Sequence, residues 1–286
     1  MRIKVLLKAH KIPIFYRNII MSLIKEALFR YNEVYLNQLY HDEKTKKPKP
    51  FTFSLVFPKG TKTKKEKILI EDKEIEDIVF YPPHDRYINL FISSYDFEFL
   101  LNLYNGLLKL RRFFLSHGGH IEIERIWTPK EKDIKDNKVI FKTLSPILIE
   151  NKYGKPLLPT DLEAYNREFN IIHDKKLKEL RSQGLKDSLL FEPIKWKKQV
   201  VKHTLRKIRE KLGKPYITLT CFEGYFTLQG HPEDLKILYQ AGMGLRTGQG
   251  FGMVEVVKID LVVSKKGFFY KTHDDVSVKY GYLVSL

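Results

Sequence analysis

The order strand, helix, strand, strand, helix, strand can be read twice along this chain, and two copies of that order leave few folds open. In the first half, residues 2–9 alternate as a strand, and residues 15–31 carry Ile20, Leu23, Ile24, Ala27, Leu28 and Tyr31 at helical spacing. A short helical piece from Val34 to Tyr40 and a lysine-rich loop from His41 to Pro50 lead into an aromatic, β-branched strand at 51–57. Strands near 67–71 and 87–93, a helix at 96–110 and a strand at 121–127 complete the series. Downstream, residues 139–149, 160–182, 197–208, 216–228, 232–240 and 250–263 read the same way, although 197–208 also suits a helix by composition. The expected fold class is α+β, two tandem ferredoxin-like (βαββαβ) domains at 1–128 and 138–263, parted by a charged, proline-marked linker. A tail at 264–286 holds a candidate edge strand from Val276 to Val284 and carries no functional reading.

Charge narrows the partner. Lys and Arg number 51 against 34 acidic residues, for a net +17, which points to a polyanion, with nucleic acid first. No stretch approaches the roughly 20 apolar residues of a membrane span. The start, Met1 to Lys8, alternates like a strand and lacks the apolar core of a signal peptide, so a soluble, cytoplasmic protein without membrane contact is expected. The single cysteine, Cys221, shares parity with Ile217 and Leu219 and reads as a small core residue. His117 and His120 flank Gly118-Gly119 with no cysteine or carboxylate cluster nearby, which favours a turn over a metal site.

Five glycines fall within Gly242-Met243-Gly244-Leu245-Arg246-Thr247-Gly248-Gln249-Gly250-Phe251-Gly252. That density calls for φ > 0 backbone or very close approach of another chain. A helix precedes the run and a strand follows it, the reverse of the dinucleotide and P-loop order. Two readings stay open and compatible: a loop of backbone N–H groups that seats phosphates beside Arg246, and close packing of the last helix. On the first reading Gly242, Gly244, Arg246, Gly248, Gly250 and Gly252 contact a nucleic-acid backbone. Residues 195–214 hold nine Lys or Arg against one Glu, so Lys195, Lys197, Lys198, Lys202 and Arg206 read as a backbone-binding strip, and His203 among them as a contact to the same nucleic acid rather than a group for chemistry. Lys59, Lys62, Lys64, Lys65 and Lys67 form a second basic cluster, for which a solvated turn is an equal account.

Several segments carry a likeness: Ile12-Pro13-Ile14-Phe15-Tyr16 before the first helix, His41 ahead of Pro50-Phe51-Thr52-Phe53-Ser54, Lys142-Thr143-Leu144-Ser145-Pro146-Ile147, and Gly224-Tyr225-Phe226-Thr227-Leu228-Gln229-Gly230 before the glycine run. Over residues 1 to about 262 the chain resembles the RAMP superfamily of CRISPR-associated proteins. Within it, the chain is similar to the sixth family, the endoribonucleases that cut precursor CRISPR RNA at each repeat. The resemblance implies metal-independent cleavage in which the 2′-hydroxyl upstream of the scissile phosphate attacks in line, leaving a cyclic phosphate and a 5′-hydroxyl. It implies no metal and no organic cofactor, CRISPR repeat RNA as partner, and a place beside a CRISPR effector complex. Monomer and homodimer both stay open. The alternative is a non-catalytic RNA-binding RAMP subunit of such a complex, and beyond it a general RNA-binding protein.

Cleavage of this kind needs a base, an acid and cations. His41 ends the second helical piece and opens a loop with Lys44, Lys46, Lys47 and Lys49; alone it reads as an exposed loop histidine, and with the resemblance as the general base. Lys49 falls where family members often carry a lysine that steadies the transition state. By the resemblance, the position often held by a tyrosine on the first helix is Lys25 here, with Tyr16, Tyr31 and Tyr40 as nearby substitutes, Tyr31 lying on the expected core face. His10, at the end of the first strand, reads as a strand-end residue or a second proton carrier.

Overall fold

Alternate burial of Ile3, Val5 and Leu7 places β1 (Arg2–Lys8) in the middle of a sheet with one face on a core. The computed structural model describes residues 1–41, 47–70, 73–115, 118–204, 210, 213–257, 259–264 and 267–272, with side chains for all of these but His41, 259–264 and 267–272. After β1 come β2 (Ile12–Pro13), α1 (Tyr16–Tyr31), α2 (Glu33–His41), β3 (Phe51–Val56), β4 (Lys62–Ile70), β5 (Lys73–Tyr81) and β6 (Ile88–Ser94). Then follow α3 (Phe97–Leu110), β7 (Arg112–Phe114) and β8 (His120–Trp127). The first sheet has the order β3-β6-β1-β8-β7, and α1 and α3 pack on it. Asp96 caps α3 by accepting the Phe99 N–H at 3.2 Å. The two helices touch at Gly106, where a Cβ would stand 2.0 Å from the Ala27 carbonyl oxygen, so only glycine allows that approach.

The second half repeats the plan with β9 (Lys138–Thr143), α4 (Leu162–Arg181), β10 (Leu190–His203), β11 (Ile217–Gln229), α5 (Pro232–Ala241) and β12 (Val254–Val256). Its sheet order is β10-β11-β9-β12, matching β3-β6-β1-β8 strand for strand. Asp161 caps α4 and Pro232 opens α5, two ordinary helix starts. The architecture is α+β with two tandem ferredoxin-like units, as expected. Among the described residues no helix is long and apolar enough to cross a membrane.

Several boundaries differ from expectation. The strand near 67–71 is one arm of a hairpin, β4 with β5, joined by β2 into a separate three-stranded sheet. Its charged residues, among them the ion pair Lys67–Glu74, cover the exposed side and mask the alternation. β10 starts at Leu190, not 197, because a bulge after Pro193 breaks the period while pairing to β11 continues. The expected strand 250–263 is two pieces: β12 pairs with β9, whereas β13 (Ile259–Ser264) pairs only with β14 (Gly267–Thr272) among the described residues. β9 ends at Thr143, and 144–149 run on as irregular backbone beneath the glycine run. Tyr31 lies at the exposed end of α1, 41% exposed under the Lys109 ammonium, not on the core face. The proposed edge strand at 276–284 lies outside the described residues.

The two units meet along β3 and α1. Thr52 Oγ1 donates to the Phe251 carbonyl at 2.7 Å and Ser54 Oγ to the Leu144 carbonyl at 2.6 Å. Arg2 pairs with Glu255 and donates to the Val254 carbonyl at 2.8 Å. Lys202 reaches Asp77 at 2.6 Å.

Candidate active site

Two of the lysines expected in catalysis converge on one ring. The Lys25 Nζ stands 4.2 Å from the centroid of Tyr40, and the Lys49 Nζ 4.6 Å from the same centroid. Lys49 also donates to the Leu39 carbonyl, which anchors it to the end of α2. Lys25 comes from the middle of α1 and Lys49 from the residues before β3, so the packing of α1 against that sheet brings them together. His41 directly follows Tyr40 as the last residue of α2; its side chain, and Lys44 and Lys46, lie outside the described residues. Tyr16 packs away from this point, edge-on to Phe57 at 5.8 Å.

The glycine run is the opposite wall. Gly248, half-buried, presses on the stem of Lys49: a Cβ there would stand 2.9 Å from Lys49 Cβ and 3.0 Å from Cγ. Gly242, Gly244, Gly250 and Gly252 all have positive φ and are buried. Added Cβ atoms would strike Thr52, the Leu148 carbonyl, the Phe53 ring and the Met243 carbonyl respectively. For these four, packing is the observed use. The outward residues are Leu245, Arg246, Gly248 and Gln249, with Thr247 buried between them; Arg246 lies in the left-handed region at φ 56° and its guanidinium stands 3.5 Å from Gln249 Oε1. The Thr-Leu-Ser-Pro segment holds the run from below: Ser145 Oγ accepts the Met253 N–H at 2.9 Å, and the Pro146 carbonyl accepts Gly252 N–H at 2.8 Å.

Three buried basic side chains that the sequence reading passed over line the inner side of this loop. Arg17, 7% exposed on α1, donates to the Gly250 carbonyl at 3.2 Å and lies 4.8 Å over the Phe251 ring. Lys176 of α4 donates to the Gly242 carbonyl at 2.8 Å, and burial pushes its ammonium down to about 7. His173 donates from Nδ1 to the Phe169 carbonyl at 2.7 Å while Nε2 accepts the Gly244 N–H at 2.8 Å. Burial, then the neighbouring Lys176 charge, lowers His173 to about 3, and the Gly244 donor leaves its Nε2 no room for a proton. The available signal was register: Tyr165, Phe169, His173 and Lys176 share one face of α4, so two basic residues stand on an apolar stripe.

The basic strip divides. Lys195, Lys197 and Lys198 are exposed on β10, with Lys197 3.2 Å from Glu223. Lys202 is turned toward Asp77 and Tyr216, an ion pair between the two halves. His203 is corrected from an RNA contact to a buried group: it is 1% exposed, bonded to Gln249 Oε1 at 3.0 Å, and lowered to about 4 by burial and the Arg246 charge. Arg206 lies outside the described residues, as does His117. His120 bonds Glu122 at 3.1 Å, and exposed His10 stacks on His84 at 5.6 Å. Cys221 is buried, as expected. Lys62, Lys64, Lys65 and Lys67 stand exposed along β4. Among the described residues no cluster of three or more His, Cys, Asp or Glu could hold a metal.

Comparison with known proteins bears on the family. The family model for CRISPR associated protein Cas6, C-terminal, matches residues 129–256. The chain is 28% identical over 257 residues to the CRISPR-associated endoribonuclease Cas6 1 of Methanocaldococcus jannaschii, covering 85% of this chain and 86% of that protein. It is 30% identical over 173 residues to an endoribonuclease-like Cas6 protein of Pyrococcus furiosus, covering 60% of this chain and 68% of that one. The solved structure of the product of a Cas6-related gene from Pyrococcus furiosus superposes with a TM-score of 0.69 at 24% identity, covering 90% of this chain and 98% of that one, which bears on fold alone. With 30% identity across two thirds of that Pyrococcus protein and the Cas6 C-terminal match over the second unit, the chain belongs to the Cas6 family of CRISPR-associated proteins.

Proposed function

We propose that this protein is an endoribonuclease that cuts precursor CRISPR RNA within its repeats by 2′-hydroxyl attack, without a metal, to leave a cyclic phosphate and a 5′-hydroxyl. The observation that carries the reading is the meeting of Lys25, Lys49 and Tyr40 beside the end of α2, against the Gly248 wall. His41, the next residue, takes the proton of the attacking hydroxyl. Lys49 offsets charge growing on the phosphate, with Lys25 behind it. The Leu245–Gln249 turn, with the Gly248 backbone and the Arg246 guanidinium, contacts the flanking phosphate. Lys195, Lys197 and Lys198 hold the RNA backbone farther along, and the tandem halves act as an N-terminal catalytic domain, 1–128, and an RNA-holding C-terminal one, 138–263. Names of the relatives support the same class: one of them is called a CRISPR-associated endoribonuclease.

The test is incubation of purified protein with repeat RNA in EDTA, for wild type and His41→Ala. Cutting by wild type that falls on the order of a hundredfold or more in the variant is the expected result. Equal cutting by both removes His41 from the mechanism. No cutting by either, with repeat RNA still bound, leaves the non-catalytic RAMP subunit.

A further inference from the structure

We propose that Lys176 of α4 is a positioning residue for cleavage: it pins the glycine loop so that Gly248 sets where the Lys49 ammonium stands. The proposal rests on the cleavage reading above. Lys176 is 4% exposed, and among the described residues no carboxylate pairs with it. A buried ammonium without a counter-charge costs stability, so its place in the core asks for another use.

What it touches supplies one. Its Nζ reaches the Gly242 carbonyl at 2.8 Å and Thr247 Oγ1 at 3.4 Å, two points five residues apart on the loop. Bridging them closes the inner span of the loop onto α4. His173, one turn earlier on the helix, takes the Gly244 N–H at 2.8 Å between those points. Three sites on the loop are therefore held by one helix of the second unit. Thr247 is bonded in the chain to Gly248, and the Lys49 stem lies so near Gly248 that an added Cβ would stand 2.9 and 3.0 Å from its first two carbons, leaving no room for a side chain between them. A shift at Thr247 therefore moves the wall against which the Lys49 stem rests. The path from Lys176 through Thr247 and Gly248 to the Lys49 stem crosses from one unit to the other. Displacements near 1 Å at a reacting group cost on the order of tenfold to a hundredfold in rate.

The experiment uses the full chain with Lys176→Met and, to leave α4 untouched, Thr247→Val. Each is prepared with 13C-labelled lysine, and the Lys49 Cε resonance is assigned by its loss in Lys49→Arg. Folding is checked by circular dichroism. The expected result in both variants is a moved Lys49 resonance, a single-turnover cleavage rate lower by on the order of tenfold or more, and affinity for uncut RNA within about twofold of wild type. An unmoved resonance overturns the proposal. So does a moved resonance with the wild-type rate, or a rate loss that only follows lost binding. Should wild type cut no repeat RNA, the cleavage reading fails, and the Lys49 resonance alone still decides whether Lys176 positions that side chain. If Lys176→Met does not fold, Thr247→Val decides by the same criteria.

Discussion

At the scale of single residues, the site is a small group of cations around one phenol ring. Among the described residues the Lys49 ammonium stands over Tyr40 and donates to the Leu39 carbonyl, and its stem lies close beside Gly248. A cation fixed in that way can meet developing charge without rearranging. Lys49→Ala is therefore expected to lower the single-turnover cleavage rate on the order of a hundredfold while leaving RNA affinity nearly unchanged, read from rate and binding measured on the same repeat RNA. Lys25 and Lys49 were legible in the sequence only through the family likeness, because 24 residues separate them and no spacing rule joins α1 to the start of β3. Arg17, Lys176 and His173 were not legible as loop supports. Their partners are backbone groups of a loop far along the chain, and backbone carbonyls leave no mark in a sequence. His203 misled for a related reason: its neighbours in sequence are lysines, whereas its neighbours in space are Phe251 and Gln249.

At the scale of elements, the glycine run and α4 form one device whose protonation states can be followed. His173 and His203 fold with pKa values near 3 and near 4, below the usual 6.5. The unfolded chain therefore binds more protons between those values and 6.5, and stability should fall as pH drops below about 6.5. Lys176 acts at the other end. Its folded value near 7 lies below the usual 10.5, so the unfolded chain again binds the extra proton, and this group makes stability rise as pH climbs above about 7, with the buried N-terminal ammonium of Met1, also lowered, adding to the rise near 8. Denaturant titrations of wild type and Lys176→Met at pH 7 and pH 9 are expected to show a larger gain with pH in wild type than in the variant; equal gains would contradict the buried ammonium. Helices and the central strands of both sheets were legible from apolar spacing. The β4–β5 hairpin and the true start of β10 were not, because charges on an exposed face and a bulge both break the period from which strands are read.

For the whole molecule, the proposed function puts chemistry and grip on different halves of the repeated plan. Lys25, Tyr40 and Lys49 belong to the first sheet and its helices, whereas exposed Lys195, Lys197 and Lys198 belong to β10 of the second. The junction is tied by Arg2 with Glu255, Thr52 with Phe251, and Lys202 with Asp77. This arrangement predicts that replacing Lys195, Lys197 and Lys198 together with Gln flattens the dependence of log affinity on log salt by about 2, without changing the rate at saturation. An unchanged slope would remove the strip from the interface. The net charge of +17 announced a polyanion from the start, but which lysines remain available to it depends on pairings such as Lys202 with Asp77 that only the assembled halves create.

The most direct measurement replaces one atom of the substrate. Repeat RNA carrying a 2′-deoxy nucleotide just upstream of the scissile phosphate, incubated with wild-type protein in EDTA beside the all-ribose RNA, should bind equally and remain whole while its counterpart is cut to cyclic-phosphate and 5′-hydroxyl ends. Cutting of the deoxy-substituted RNA at the same phosphate and rate would contradict the account.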